Sequence, residues 1–249
     1  MEHRDARQLT LFATGTHECP YLPDGRPART AFVDPQARLS PNIYSQLIGQ
    51  GFRRSGQFLY QPACPACAEC RSLRVPAARF RWRRRHRRCW EANADLEVRR
   101  LAAGWREEHF QLYRRYVNQR HAGGGMENPT PASYMDFLIA PWCRTVFHEF
   151  RRREDGRLLA VAVTDRLSDA LSAVYTFYDP AENHRSLGTF AILRQIHEAR
   201  CLGLRHLYLG YWIAAARRMA YKTGFRPHEL FDGRGWVTVP SGAETEGGG

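Results

Sequence analysis

Cys64, Cys67 and Cys70 stand at two-residue gaps in Cys64-Pro65-Ala66-Cys67-Ala68-Glu69-Cys70. Thiols so spaced can share a metal ion or an iron–sulfur cluster, whereas disulfides between such close neighbours would be strained. Three ligands leave a tetrahedral site one short. Cys19, in His17-Glu18-Cys19-Pro20-Tyr21-Leu22, is the candidate fourth. The alternative is a set of reduced structural thiols that hold no metal. Cys-x-x-Cys-x-x-Cys also resembles part of a ferredoxin-type run, so both structural zinc and a cluster stay open. Cys89, Cys143 and Cys201 lie outside the motif, and buried inert thiols are their expected role.

A second chemistry-bearing stretch is the run Arg79, Arg81, Arg83, Arg84, Arg85, Arg87 and Arg88, with Trp82 and His86 between them. Arginine excess by itself can reflect genome composition, and a charge run is often a solvated helix face. Here the like charges repel unless something neutralises them, which favours phosphate binding. The whole chain agrees: Lys plus Arg number 37 against 25 Asp plus Glu, a net charge of +12. Such a balance points to a polyanionic partner. Lys222 is the single lysine.

The elements that must carry these residues fall into two parts. At 249 residues the chain suits one large domain or two small ones. No apolar run approaches the roughly 20 residues of a membrane span. Seven cysteines, three of them crowded together, argue for a reducing compartment, and we expect a cytoplasmic protein. Residues 1–94 are expected to form a small cysteine-containing unit: an irregular arm to about residue 35, a helix opened by Ser40-Pro41, the cysteine loop between two short strands, and an arginine-rich helix over about 83–93. It has little apolar mass of its own and would gain from a metal staple.

Residues 95–240 show cleaner periodicity. Strand patterns cover 95–101, 145–152, 158–164, 170–178, 206–209 and 236–239, and helix patterns cover 105–121, 131–139, 186–202 and 214–223. Asp155-Gly156 is a hairpin signal, Gly123-Gly124-Gly125 a helix breaker and Gly203 a helix stop. A tail over 241–249 is expected to be disordered. The order predicts an α+β chain with a mixed sheet flanked by helices. It resembles the fold of the GCN5-related N-acetyltransferases. There, the turn reading Arg185-Ser186-Leu187-Gly188-Thr189 here would be an anion site at a helix N-terminus.

Four segments carry a more specific resemblance. They are Cys19-Pro20-Tyr21-Leu22; Tyr60-Gln61-Pro62-Ala63-Cys64, leading through Cys67 and Cys70 to Arg74-Val75; Val174-Tyr175-Thr176-Phe177-Tyr178-Asp179-Pro180 with Ser186-Leu187-Gly188; and Tyr208-Leu209-Gly210-Tyr211-Trp212-Ile213, followed by Met219-Ala220-Tyr221-Lys222 and Phe225-Arg226-Pro227-His228-Glu229. Over about residues 17–230 the chain resembles the bacterial aminoacyl-tRNA–protein transferases, the aspartate/glutamate leucyltransferases related to eukaryotic arginyltransferases. One departure stands out. That family usually has lysine where this chain has Ala214 and Arg218, so a cation's role at position 214 falls away.

The resemblance implies transfer of leucine from Leu-tRNA to the α-amine of proteins beginning with Asp or Glu, marking them for N-degron (N-end rule) proteolysis. The ester is already activated, so direct aminolysis needs no acyl-enzyme and no cofactor. It needs alignment, a proton acceptor and oxyanion stabilisation. Candidate catalytic groups at the open ends of the central strands are Tyr175, Tyr178 and Asp179. Arg74 is the candidate for the acceptor's carboxylate. Arg83, Arg84, Arg85 and Arg185 would hold phosphates, Trp82, Tyr211, Trp212 and Tyr221 would serve the terminal nucleotides, and Lys222 a phosphate. Cys19, Cys64, Cys67 and Cys70 would bind zinc or a cluster, and the related eukaryotic enzymes suggest that a cluster would make activity respond to oxygen. Alternatives are arginine as the donated residue, a coenzyme-A-dependent N-acetyltransferase, and a non-catalytic RNA-binding protein.

Overall fold

The computed structural model describes residues 9–120 and 127–239. The triple glycine, His121 and the tail from residue 240 lie outside the described residues. The N-terminal part has the strands β1 (Leu11–Ala13), β2 (His17–Glu18), β3 (Pro27–Ala28) and β4 (Thr30–Val33), helix α1 (Pro41–Gly49), and strands β5 (Arg53–Ser55), β6 (Phe58–Pro62) and β7 (Arg71–Pro76). Then come α2 (Arg84–Glu91), β8 (Leu96–Ala102), α3 (Glu107–Arg120), α4 (Pro131–Leu138), β9 (Arg144–Arg152), β10 (Leu158–Arg166) and β11 (Ala170–Tyr178). The chain closes with α5 (Leu187–Cys201), β12 (His206–Trp212), β13 (His228–Phe231) and β14 (Trp236–Val239).

Two sheets carry the architecture. The larger has eight strands in the order β14-β13-β7-β12-β11-β10-β9-β8, and the smaller has four, β1-β4-β6-β5. In the large sheet only β11 and β12 run parallel, joined by the crossover helix α5. Strand β10, apolar on both faces, is buried along nearly its whole length at the centre, as a strand covered from both sides must be. Helix α5 buries Phe190, Ile192, Leu193 and Ile196 on one face, and α2 lies against it. Helices α3 and α4 cover the other face through Phe110, Tyr113, Tyr116 and Tyr134. Among the described residues no helix is long and apolar enough to cross a membrane.

Three elements differ from expectation. The N-terminal arm is not irregular: β1 pairs with β4, and β4 with β6, in the small sheet, although Leu11 and Phe12 remain exposed. Strand β7, which directly follows the cysteine loop, enters the large sheet between β12 and β13, so that sheet takes a strand from either side of residue 95. The segment expected as a helix over 214–223 is a 3-10 turn sequence, Arg217–Gly224, with no α-helical run. By contrast α1 begins as its sequence dictates: Ser40 accepts from the Ile43 N–H at 3.3 Å and Pro41 opens the first turn.

The small sheet and α1 dock on the large sheet through Val33, Tyr44, Leu47, Ile48 and Leu59 against Leu167, Ala170 and Tyr208. A buried ionic knot lies beneath this contact. Arg54 of β5 donates to Asp165 of β10 at 2.5 and 2.7 Å, and both side chains are essentially inaccessible. Tyr44 and Thr145 donate to the same carboxylate at 2.8 and 2.7 Å. A buried carboxylate so fully paired is stable, while removing one partner would strand a charge.

Candidate functional site

Strands β11 and β12 pair over only three residues, from Ala170↔His206 to Ser172↔Tyr208, and then part. What fills the opening comes from β5. The Arg53 guanidinium donates to the Val174 carbonyl at 3.0 Å and to the Leu209 carbonyl at 3.3 Å, one from each parted strand. Carbonyls that would otherwise lose their ladder partners are thus satisfied. Gly210 makes this approach feasible. It sits at positive φ (+71°) beside a break in the β12–β7 register, and a Cβ there would fall 1.1 Å from Arg53 Nη1.

Around this wedge opens a cleft of about 240 Å³ between the two sheets. Tyr21, Arg53, Tyr60, Phe137, Tyr175 and Tyr211 form most of its wall, with Met219 and Lys222 closing one side. Lys222 is buried and its Nζ donates to the Tyr211 carbonyl at 2.5 Å. Burial first, and then the charge of Arg53, pull its ammonium down to about 7. Burial raises the phenols of Tyr175 and Tyr211, which stay protonated as hydrogen-bond donors. The Tyr211 hydroxyl faces the carbonyls of Gly51 and Tyr60, each at 3.1 Å. Arg53 has no carboxylate within ion-pair reach among the described residues, and none lines the cleft. The arrangement can therefore bind an anion at Arg53, take a proton at Lys222 and bury an apolar group against aromatic rings.

The structure brings Tyr175, Tyr211 and Lys222 together here and sends other expected residues elsewhere. Asp179 is buried but does not line the cleft; it accepts from the Ala181 N–H at 3.0 Å and from Arg157 at 2.5 Å, holding the turn Pro180–Arg185. Tyr178 packs on Tyr116, ring centroids 4.8 Å apart. Arg74 is already paired with Glu229 at 2.6 Å and stacked 4.2 Å from the Trp236 ring. Arg185 is tied to Asp95 at 2.8 Å and Glu182 at 2.9 Å, so the turn before α5 offers no free guanidinium for a pyrophosphate. Trp212 lies in the core and cannot stack on a nucleotide, whereas Tyr221 is exposed beside Lys222.

The arginine run behaves as a surface. Arg81, Arg83, Arg84, Arg85, Arg87 and Arg88 are all exposed around α2, and none forms an ion pair among the described residues. Helix α2 is anchored by His86, stacked on Phe225 at 5.5 Å and held neutral by burial and then by Arg85 and Arg83, its pKa down to about 4. Trp82 is half-buried against Trp90.

Cys19 and Cys70 lie near Tyr21 of the cleft wall, and Cys64 and Cys67 lie near Cys70. After burial, the neighbouring thiols of Cys64, Cys19 and Cys67 are what push Cys70 up to about 12. The thiolate is the metal ligand, so a metal bound here would have to displace these protons. The thiols do not close into a ligand shell here: among the described residues no three His, Cys, Asp or Glu side chains are placed to share a metal ion. Cys67 instead accepts from Arg26 at 3.4 Å and Cys64 donates to the Arg29 carbonyl at 3.7 Å. Cys89 and Cys143 are half-buried with thiols raised by burial, as expected of inert thiols, but Cys201 is exposed.

Arg53, Tyr21, Tyr60, Phe137 and Met219 were not singled out from the sequence as site residues. One signal was available: a glycine inside the strand pattern Tyr208-Leu209-Gly210-Tyr211 marks a close backbone approach. Known proteins resemble the chain over most of its length. The family described as "Arginine-tRNA-protein transferase, N terminus" matches residues 17–88, and its C-terminal counterpart matches residues 108–232. The chain is similar to the aspartate/glutamate leucyltransferase of Halorhodospira halophila, 58% identical over 92% of this chain and 97% of that protein. It is 57% identical to the protein of that name from Alkalilimnicola ehrlichii, over 94% of this chain and 97% of the other, and 46% identical to that of Hahella chejuensis, over 94% and 98%. Among solved structures, the C-terminal domain of a putative lysylphosphatidylglycerol synthetase from Agrobacterium fabrum aligns at 13% identity and a TM-score of 0.49, over 75% of this chain and 60% of that one.

Proposed function

The chain belongs to the arginine-tRNA-protein transferase family, among its aspartate/glutamate leucyltransferases, and from this we infer that it transfers leucine from Leu-tRNA to the α-amine of proteins beginning with Asp or Glu. The product, with its new N-terminal leucine, enters N-degron proteolysis in the cytoplasm, where charged tRNA is found. The observation that supports the site is the cleft where β11 and β12 part, with one fixed cation, one buried near-neutral amine and aromatic walls.

The chemistry required is modest. An aminoacyl ester is already activated, so the protein must align an amine with the carbonyl, accept a proton and steady the oxyanion. Lys222 suits the proton, since a base works best with a pKa near the operating pH. We assign it that role in preference to Asp179, whose carboxylate is used by the turn after β11. Tyr175, its phenol kept protonated by burial, would donate to developing negative charge. Phe137, Val174 and Met219 offer the leucine side chain an apolar wall. The exposed arginines of α2 would take the acceptor stem by phosphate and shape, and Tyr221 would stack on a terminal base. Cys19, Cys64, Cys67 and Cys70 crowd beside the Tyr21 wall and would have to draw together to hold a zinc ion or cluster as a staple. We read the large sheet, with its parting parallel pair, as an acetyltransferase-like sheet whose usual pyrophosphate turn is closed by Arg185 pairing.

The test is a transfer assay with peptides beginning Asp, Glu or Ala, and tRNA charged with labelled leucine or arginine. Label should pass from Leu-tRNA to the Asp and Glu peptides and not to Ala. Transfer from Arg-tRNA alone would overturn the donor, and no transfer from either would overturn the function.

A further inference from the structure

Arg53 and Arg54 are consecutive on β5 and point to opposite faces, as strand residues must. Arg54 finds its carboxylate inside the protein, in Asp165. Among the described residues Arg53 finds only two backbone carbonyls, Val174 and Leu209, in the fork between β11 and β12. Two donated bonds fix the plane of the guanidinium and leave the other N–H groups of its five uncommitted. A half-buried cation with a fixed orientation and no anion among the described residues is an incomplete ion pair. Every other charged or titratable group known to line this cleft is a phenol, the paired Arg54 or the near-neutral Lys222.

We propose that Arg53, wedged between the parted ends of β11 and β12 over Gly210, is the receptor for the side-chain carboxylate of the acceptor's N-terminal Asp or Glu. The proposal rests on the leucyl-transfer function above and deepens it by assigning the acceptor specificity to one residue. In Asp and Glu the carboxylate is separated from the α-amine by two or three carbons, so a carboxylate held at Arg53 leaves the amine free to face Lys222, which shares the cleft. A planar fork matches a carboxylate with two parallel hydrogen bonds. An open cleft tolerates the extra methylene of Glu, whereas Asn and Gln would leave the guanidinium without its charge partner. Arg74, the residue the sequence favoured for this task, is already neutralised by Glu229.

Gly210 is part of the device. Only a residue without Cβ lets the guanidinium lie where it does, since a Cβ would sit 1.1 Å from Nη1. An alanine at position 210 should therefore displace the receptor without altering any charge.

The test measures transfer kinetics at saturating Leu-tRNA with four peptides, beginning Asp, Asn, Glu and Gln. The wild type should favour Asp over Asn and Glu over Gln by about a hundredfold or more in kcat/KM. Arg53→Gln should reduce both ratios to within about tenfold by raising KM for the acidic peptides, with the amide peptides little changed. Arg53→Lys should restore part of the loss, and Gly210→Ala should move the ratios in the same direction as Arg53→Gln. Circular dichroism melts identify a variant that fails to fold; if Arg53→Gln does so, Gly210→Ala carries the test, and an unchanged Asp/Asn ratio in it overturns the proposal. A folded Arg53→Gln that keeps the wild-type ratio, or that loses acidic and amide peptides equally, overturns it too and leaves the leucyl-transfer function standing. A wild type that transfers leucine to none of the peptides overturns that function first.

Discussion

The two faces of β5 separate a closed region from an open one. On one side Arg54 enters a knot where Asp165 accepts from Arg54, Tyr44 and Thr145, with no polar capacity to spare. On the other, Arg53 enters a fork whose strands offer carbonyls and no countercharge. The residue type is the same and the chain position differs by one, so neither composition nor propensity accounts for the contrast. It comes from what the large sheet presents to each face: a carboxylate on β10, and the diverging ends of β11 and β12. A charge buried with its partner holds the small sheet to the large one. A charge held in place without a partner is ready for one from outside.

The sharpest way to break the contrast is to convert the closed region into an open one. Asp165→Asn or Arg54→Ala should cost about 3–5 kcal/mol, since each leaves a buried charge without its partner. That is a large share of a domain's stability, and denaturant unfolding should show it as a lower midpoint. A variant unfolding within about 1 kcal/mol of wild type would mean the knot is not what joins the sheets.

On the open side the largest loss should follow Lys222→Gln, with kcat falling about 10²- to 10³-fold, or about 3–4 kcal/mol of barrier. The sign of the pH dependence follows from the lowered pKa. Lys222 is protonated below about 7 and neutral above it, so wild-type kcat should rise as pH increases through about 7 and then level. In Lys222→Arg that limb should vanish because the cation no longer titrates. The profile of kcat/KM should still carry the acceptor's own amine, titrating at about 7.7–8.0. An unchanged kcat limb in Lys222→Arg would remove Lys222 as the proton acceptor.

A smaller effect is expected where positive charge is plentiful. Replacing Arg84, Arg87 and Arg88 together by Ala should raise KM for Leu-tRNA about tenfold and flatten its salt dependence by roughly one power of salt for each phosphate no longer neutralised. The acceptor peptide's KM should not move, because α2 does not line the cleft. Joint movement of both KM values would place tRNA and acceptor on one surface.

How much of this is legible without coordinates varies by element. The strands β8 to β11 and helices α3 to α5 follow their periodicity to within a few residues, since each has one dominant apolar pattern and explicit stops such as Gly203. Strands β1 to β5 and β13 are short, mostly three or four residues, and their identity comes from pairing with distant partners that local pattern does not encode. In the cleft, Tyr175 and Tyr211 are legible as tyrosines toward the ends of central strands, and Lys222 as the single lysine. Arg53 is not, because its importance depends on β11 and β12 parting and on β5 arriving between them. Arg74 and Arg185 misled for the converse reason: a guanidinium beside a functional motif draws attention, while the glutamate or aspartate that neutralises it lies 155 or 90 positions away.

Asp179 is the residue for which sequence and structure make the most separable claims, and its effect should be the smallest. Placed at the end of β11 among tyrosines, it has the position of a general base. In the folded chain its Oδ1 accepts from the Ala181 N–H and its Oδ2 from Arg157, which fixes the turn leading into α5. Asp179→Asn keeps a side-chain oxygen for the cap and loses the ion pair, which is about half exposed on the Arg157 side. Stability should fall by about 0.5–1 kcal/mol, the worth of a partly exposed pair, and kcat should stay within about threefold of wild type. A general base replaced by an amide would instead cost two orders of magnitude or more. A loss of that size in a folded Asp179→Asn, with the pH limb near 7 abolished, would return the proton to the carboxylate and leave Lys222 as a buried support for the Tyr211 carbonyl.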